Sequence, residues 1–311
     1  MPKGPRRAIR PHRLERVRKT AAALITLGLA ALALAGCSAG PSFAGKACPT
    51  QPTSSGLKSS VTVEGDFGSE PKVKLDTPTK VPKLSVDDLI VGQGTRITAA
   101  SQPFAANVVV YNGATGQRIG ASSDVATLMS QSKEFASAVQ CATEGSRLLV
   151  GFPAGTFADA ATVGIVDVQK VFLPHAEGSL VYNDALGLPT VVRAPDGRPG
   201  IIIPDAKKPA KQVTQTLIRG DGPKVTKNDV VRVQLTSVDW DTRKVLKSTW
   251  DTQAVAISGA ELAGQTVGSQ VLLVIPPADA GQGTGSDGAG TQAIVVDILG
   301  VDTSASASSG Q

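Results

Sequence analysis

Histidine is almost missing from this chain: of 311 residues only His12 and His175 are histidines. His12 sits in a strongly basic leader, so any Ser-His-Asp hydrolysis would have to run through His175 alone. That residue follows Pro174 in a stretch that reads as a linker, and it is taken as an ordinary surface residue. Zinc sites built on several histidines are excluded, and no Cys-x-x-Cys pair is present. There is no glycine-rich phosphate loop and no dinucleotide fingerprint, so no cofactor is expected. Aromatic residues make up 4% of the chain, with two tryptophans and two tyrosines. No basic patch carries interleaved aromatics, which leaves a nucleic-acid partner without support.

What the chain does have begins at its start. Eight basic side chains fall between Lys3 and Lys19, followed by an alanine- and leucine-rich run over 21–35. The run is short for a bilayer span, which takes roughly 20 residues. A charged region, a short apolar region and a small-residue site form the grammar of an export signal. The run closes on Leu34-Ala35-Gly36-Cys37, which resembles a bacterial lipobox. Residues 1–36 are therefore expected to be a lipoprotein signal peptide, with Cys37 lipidated and the protein held on the outer face of the cytoplasmic membrane. The alternative is a short membrane anchor with a chance cysteine. Without the leader's eight basic side chains and Glu15, the 31 basic and 26 acidic residues become 23 and 25. The basicity belongs to the export signal. An exported compartment permits disulfides. Cys48 and Cys141 are then expected either to bridge, tying the N-terminal segment onto the first domain, or to remain two free thiols.

The remaining 275 residues suffice for two domains, and they repeat themselves. IVGQGTRITAAS (90–101) resembles IRGDGPKVTKND (218–229), and NVVVYNGATGQRIGASSD (107–124) resembles VVRVQLTSVDWDTRKVLKSTWD (230–251). CATEGSRLLVGFP (141–153) resembles GQTVGSQVLLVIP (264–276), and VGIVDVQKV (163–171) resembles AIVVDILGV (293–301). The blocks keep their order, with a period of domain size. Each copy alternates Val, Ile, Thr and Leu with polar residues between Gly, Pro, Asn and Asp punctuation, the pattern of short strands. One helix is expected per copy: 126–140 in the first and, in the second, a shorter one over 258–264 with Ser258 as cap and Glu261 in the box position. The fold expected is α+β, two domains each with an antiparallel sheet wrapped around a short helix. The expected division is 37–59 lipidated N-terminus and tether, 60–173 first domain, 174–183 linker, 184–302 second domain, and 303–311 disordered tail. The turn at 193–198 would open the second domain with an extra hairpin, and residues 60–75 would do the same in the first.

The second copy resembles FKBP-type peptidyl-prolyl isomerases. The residues that carry the resemblance are Gly220-x-Gly222, the strand over 230–235, the segments 244–250 and 262–268, and Val271-Leu-Leu-Val-Ile-Pro-Pro277 with the closing strand over 293–301. It covers about 215–302; the first copy, about 88–173, follows by analogy. The whole chain resembles two-domain FKBP-like lipoproteins of high-GC Gram-positive bacteria. The resemblance implies catalysis of proline isomerisation, which needs neither nucleophile nor metal. The peptide bond resists rotation by about 18–20 kcal/mol, and a dry aromatic cradle that prefers the twisted amide lowers that barrier by differential binding.

Position by position, this chain departs from the cradle. The strand tyrosine becomes Leu235, the Phe-Asp pair becomes Leu246-Lys247, the loop tyrosine falls at Ala280 or Gly281, and the last-strand phenylalanine becomes Ile294. The first copy offers Tyr111 at the strand position, Ile119-Gly120 for the Phe-Asp pair and Gly164 on the last strand. Leu235, Leu246 and Ile294 are expected to pack as ordinary core, and Tyr111 to be a strand tyrosine with a satisfied hydroxyl rather than a catalytic group. The expectation is a surface-anchored isomerase-like protein assisting exported, unfolded or proline-containing chains, with activity weak or lost. The alternatives are a non-catalytic chaperone-like or partner-binding lipoprotein and a purely structural envelope protein. The oligomeric state stays open.

Overall fold

The computed structural model describes residue 1 and residues 42–43, 45–183, 185–277 and 290–302. Cys37, Ala280 and Gly281 lie outside the described residues, as do most of the expected leader and all of the expected tail. The chain divides into Met1–Gly40, of which only Met1 is described, and a second unit, Pro41–Gln311, that holds everything below.

Runs of β-branched residues punctuated by Gly, Pro and Asn form two antiparallel sheets with few helices. The first contains β1 (Ser85–Ile90), β2 (Phe104–Asn112), β3 (Arg118–Ser122), β4 (Arg147–Phe152) and β5 (Thr162–Val171), in the order β1-β4-β5-β2-β3. The second contains β6 (Val213–Arg219), β7 (Val230–Asp239), β8 (Val245–Ser248), β9 (Val255–Ser258), β10 (Gln270–Ile275) and β11 (Gln292–Val301). Its path is β6-β10-β11-β7-β8, with β9 also paired to β7 and the short strand Ser179–Leu180 added outside β6. The repeated blocks thus build the same strand order twice.

Each sheet is buried on both faces. An antiparallel ribbon covers one: Val61–Glu64 with Lys72–Leu75 in the first half, and Thr190–Arg193 with Pro199–Ile202 in the second. Val61, Val63 and Leu75 thereby pack on Val109, Leu149 and Ile165, while Val191 and Ile201 pack beside Leu272 and Val295. Helical segments cover the other face. The single helix expected over 126–140 is two short ones, α1 (Val125–Gln131) and α2 (Lys133–Ala138). The break falls at Ser132, whose backbone is extended and whose Oγ accepts from Phe135 N. A serine that caps a new helix competes with continuation of the old one. In the second half the helical segment is one 3₁₀ turn, Gly259–Leu262. Ser258 caps it by accepting from Ala260 N, but Glu261 accepts from Gln212 Nε2 instead of closing a capping box. Leu262 anchors this turn, its side chain fully buried while Ala260 and Glu261 stay exposed.

The segment before the first ribbon is not a free tether. Sγ atoms of Cys48 and Cys141 are bonded, and both residues pack with Phe43 and Ile97 in the helix-side core. Asp88 N donates to Thr53 O, and Asp87 collects Ser55 N, Ser55 Oγ, Gly56 N and Lys58 N. Burial pushes the Asp87 carboxyl up, but these donors outweigh it and hold the group below its ordinary value of 3.8. A carboxylate with a lowered folded-state pKa contributes stability above its unfolded pKa, and that stability is lost as pH falls through the folded value. Asp87→Asn is therefore expected to cost about 2 kcal/mol at neutral pH and to flatten the loss of stability below pH ~4. Urea unfolding at several pH values checks this; an unchanged acid limb would remove Asp87 from the account.

Residues 174–183 are likewise anchored. Leu173 N donates to Leu299 O, Ala176 N to Asp297 Oδ2, Glu177 N to Gly268 O and Val181 N to Leu217 O. Phe172 lies against β11 at Gly300, where a Cβ would come within 2.7 Å of the ring, so only glycine admits the contact. Arg232 stacks over the same ring at 5.5 Å. His175 is half-buried against Gly197 rather than lying free on the surface. Backbone pairing and one buried ring hold this stretch against the second sheet.

Candidate functional site

The helix-side face of the second sheet is where a proline cradle would sit. Cross-strand pairing sets out its rows: Leu235 with Val296 and Val271, then Ser237 with Ile294 and Leu273. Leu235 and Ile294 are both buried, in one cluster with Val233, Ile275, Leu262 and the half-buried Val255 and Ile257. Every side chain in that cluster is aliphatic. At its end Ser237 Oγ donates to Gln292 Oε1, a buried polar pair on the floor's rim.

Lys247 pairs with Ser237 across the β7–β8 ladder and is exposed. Leu246 does not pack as core: it is 47% exposed. The ladder shifts register between Ser237 and Val238, and Leu246 is the extra residue of that bulge on an edge strand. Ile119 repeats the arrangement. It is the extra residue of the β2–β3 register shift and is 49% exposed, while Gly120 pairs with Val110. The positions read as a Phe-Asp pair are thus, in both halves, an exposed bulge residue and a neighbour that continues the Ser237 or Val110 row onto the outer strand.

Tyr111 is placed on the other side. The register shift between Ala105 and Ala106 in the first half matches that between Arg232 and Val233 in the second. Two residues past the shift, Val108 pairs with Val166 as Leu235 pairs with Val296. Val108, not Tyr111, therefore occupies the register of Leu235, and Tyr111 matches Val238 on the ribbon-covered face. Its hydroxyl donates to Pro71 O at 3.1 Å, and burial together with the Glu70 carboxylate pushes the phenol's pKa up. That is a satisfied ribbon contact. Gly164 does hold the register of Ile294, pairing with Val110 and Val150. The Phe152 ring stands over it, and Phe157 packs edge-on against Phe152 at 4.8 Å. This aromatic pair is a feature that sequence reading missed: Phe152 lies in the repeated block 141–153 and Phe157 in the loop after it, and neither was matched to a cradle position.

A second feature missed is a carboxylate used twice. Asp167 and Asp297 hold the same place in the aligned blocks VGIVDVQKV and AIVVDILGV, a coincidence visible in the sequence. Asp167 is bound by Arg147 Nε and Nη2, each at 2.7 Å, and its Oδ2 accepts from Gly68 N. Arg147 also donates to Gly65 O and Asp66 O, gripping the turn of the first ribbon. In the second half Gln270 takes the place of Arg147 and donates to Asp297 Oδ1, while Oδ2 accepts from Ala176 N. With no cation bonded to it, Asp297 has its pKa raised, chiefly by burial. Both aspartates hold chain segments in place; neither faces the aliphatic rows.

Cavities lie elsewhere among the described residues. One of about 360 Å³ borders Pro71, Arg118 and Asp167. A groove of about 640 Å³ runs between the sheets past Glu144, Leu173, Asp221 and Leu299. Among the described residues no cluster of three metal-ligating side chains occurs.

No protein-family model matches this chain, and no curated protein does. Among solved structures it is similar to a multi-domain immunophilin from Arabidopsis thaliana, at 16% identity over 30% of this chain and 43% of that one, with a TM-score of 0.26; the chain thus spans less than half of that protein's length. It is also similar to the three FKBP domains of wheat FKBP73, at 13% identity over 70% of this chain and 94% of that one, with a TM-score of 0.30. A third similarity is to a putative peptidyl prolyl cis-trans isomerase, FKBP12, from Mycobacterium tuberculosis, at 25% identity over 32% of this chain and 91% of that one, with a TM-score of 0.24.

Proposed function

We propose that this chain is an exported, lipid-anchored protein with two FKBP-like domains, 60–173 and 184–302, in which isomerase activity is weak or lost. The motif order of the second copy supports the scaffold, from Gly220-x-Gly222 through Val271-Leu-Leu-Val-Ile-Pro-Pro277. The observation that carries the reduced activity is the aliphatic floor, where Leu235 and Ile294 are closed into core. Catalysis of isomerisation depends on binding the twisted amide better than the planar one. A close-packed aliphatic face presents neither ring surface nor a carboxylate to do so. Its role is then to hold exported chains, unfolded or rich in proline, at the membrane surface, with Cys37 as the lipid attachment. Partner binding without catalysis is the reading that the closed floor favours over an active isomerase.

A proline-peptide isomerisation assay on the mature protein and on residues 184–302 is expected to show rates at or near the uncatalysed one. Catalysis well above that background would overturn the loss of activity. Mass spectrometry of the native N-terminus is expected to find diacylglycerol on Cys37; an unmodified cysteine or an uncleaved leader would remove the anchor.

A further inference from the structure

We propose that the outer edge of the second sheet, at Leu180 and Tyr182, takes an extended polypeptide segment as an added β-strand. The site stands apart from the isomerase reading: it lies at the opposite end of the strand path from β8. Ser179–Leu180 pairs only with β6, and Val181 N donates inward to Leu217 O. In an antiparallel ladder successive residues alternate between bonding to the partner and facing away. The N–H and C=O groups of Leu180 and Tyr182 therefore point outward, along an edge that no further strand covers among the described residues.

The side chains at these positions are 83% and 89% exposed. An isolated apolar residue on a surface needs no explanation, but two on alternate residues of an unpaired edge form a template for another strand. The first half shows the contrast. There, residues 53–58 cover β1 in the same way, through Asp88 N donating to Thr53 O. That covering stretch reads Thr53-Ser54-Ser55-Gly56-Leu57-Lys58, whose one large apolar side chain, Leu57, is buried, so it presents no exposed apolar residue along the edge. The second half places Leu180-Val181-Tyr182 at this position with neither charge nor proline.

The outward backbone groups also decide what covers the edge. A lipid surface would leave them unsatisfied, because hydrocarbon offers neither donors nor acceptors. A strand satisfies them while its apolar side chains lie opposite Leu180 and Tyr182. The edge is also too short for a stable pair of copies, since specific dimers bury on the order of 1,200 Å² or more. Transient capture of an extended segment from another chain, with apolar residues at alternate positions, fits its length.

The test uses the full mature protein and a fluorescein-labelled Lys-Thr-Val-Thr-Val-Thr-Val-Lys peptide, followed by fluorescence anisotropy. Saturable binding is expected. N-methylation of alternate peptide amides, which keeps the side chains and removes the donors, is expected to weaken it about tenfold or more, as two lost backbone hydrogen bonds imply. Leu180→Pro should weaken it similarly while leaving the inward pairing and the melting temperature intact, because a proline on an edge loses only an outward donor. Leu180→Asp serves as a second variant should the proline unfold the edge. Equal binding of the N-methylated peptide would overturn strand addition. So would absence of binding together with retention on vesicles containing phosphatidylglycerol, which would make the patch a membrane contact. Sedimentation showing a dimer that Leu180→Pro dissolves would assign the edge to a second copy instead.

Discussion

Arg147→Ala is expected to destabilise the protein by about 3–5 kcal/mol, the cost of breaking a buried ion pair from one side. The side chains of Arg147 and Asp167 are 3% and 4% exposed, so water cannot take over the lost interaction. The variant leaves the Asp167 carboxylate with Gly68 N as its remaining partner and strips Gly65 O and Asp66 O of their guanidinium donors. The first ribbon loses its grip on the sheet at its turn, and the surface of Val109 and Ile165 beneath it becomes open to water. Arg147→Lys should recover only part of the loss, since an ammonium cannot hold both carboxylate oxygens and two carbonyls in one plane. Replacing the pair together, Arg147→Met with Asp167→Leu, should cost less than Arg147→Ala because no buried charge is left alone. Chemical unfolding of the three variants checks this order; a loss under about 1 kcal/mol for Arg147→Ala would mean that the pair is not structural.

Opening the Cys48–Cys141 bridge should have an effect of similar size. The cysteines are 93 residues apart, and the chain-entropy account assigns a loop of that length about 4.6 kcal/mol. Native contacts add to it, because the bridge holds Phe43 and Cys48 against Ile97, Val139 and Ala142 in the helix-side core. Thermal unfolding with and without a reductant, beside a Cys48→Ala/Cys141→Ala variant, is expected to show the same large fall in melting temperature in both. If the reduced protein melts with the oxidised one, the bridge is incidental. Residues 53–58 should stay docked in either case, since Asp87 and Asp88 hold them independently.

Much of the architecture was written in local pattern. The repeated blocks, their order and the ribbons announced by residues 60–75 and 193–198 follow from β-branched alternation and turn residues, which act over a few neighbours. The departure from an aromatic cradle was equally legible, since a chain with 4% aromatics has few rings to place. Which side of a sheet each residue faces was not. Tyr111 and Leu235 looked equivalent in sequence, yet register shifts at Ala105–Ala106 and Arg232–Val233 put Val108 in the place of Leu235. Because side chains alternate with period two, a residue three positions from the true match looks out of the opposite face. The same kind of shift, between Ser237 and Val238, turns Leu246 from expected core to surface.

Composition and short-range spacing by themselves determined that this is a duplicated, strand-rich chain with a lipobox-like start, two histidines and no Cys-x-x-Cys pair. The tertiary structure alone decided that the stretches read as tether and linker are packed and that Arg147 and Asp167 lock a ribbon turn. It also decided that, among the described residues, the second sheet ends at Leu180 and Tyr182 with no strand outside them. Those outcomes depend on contacts between residues tens of positions apart, and neither propensity nor periodicity carries information about them. They are set by which buried polar groups find partners, and by which edges do not.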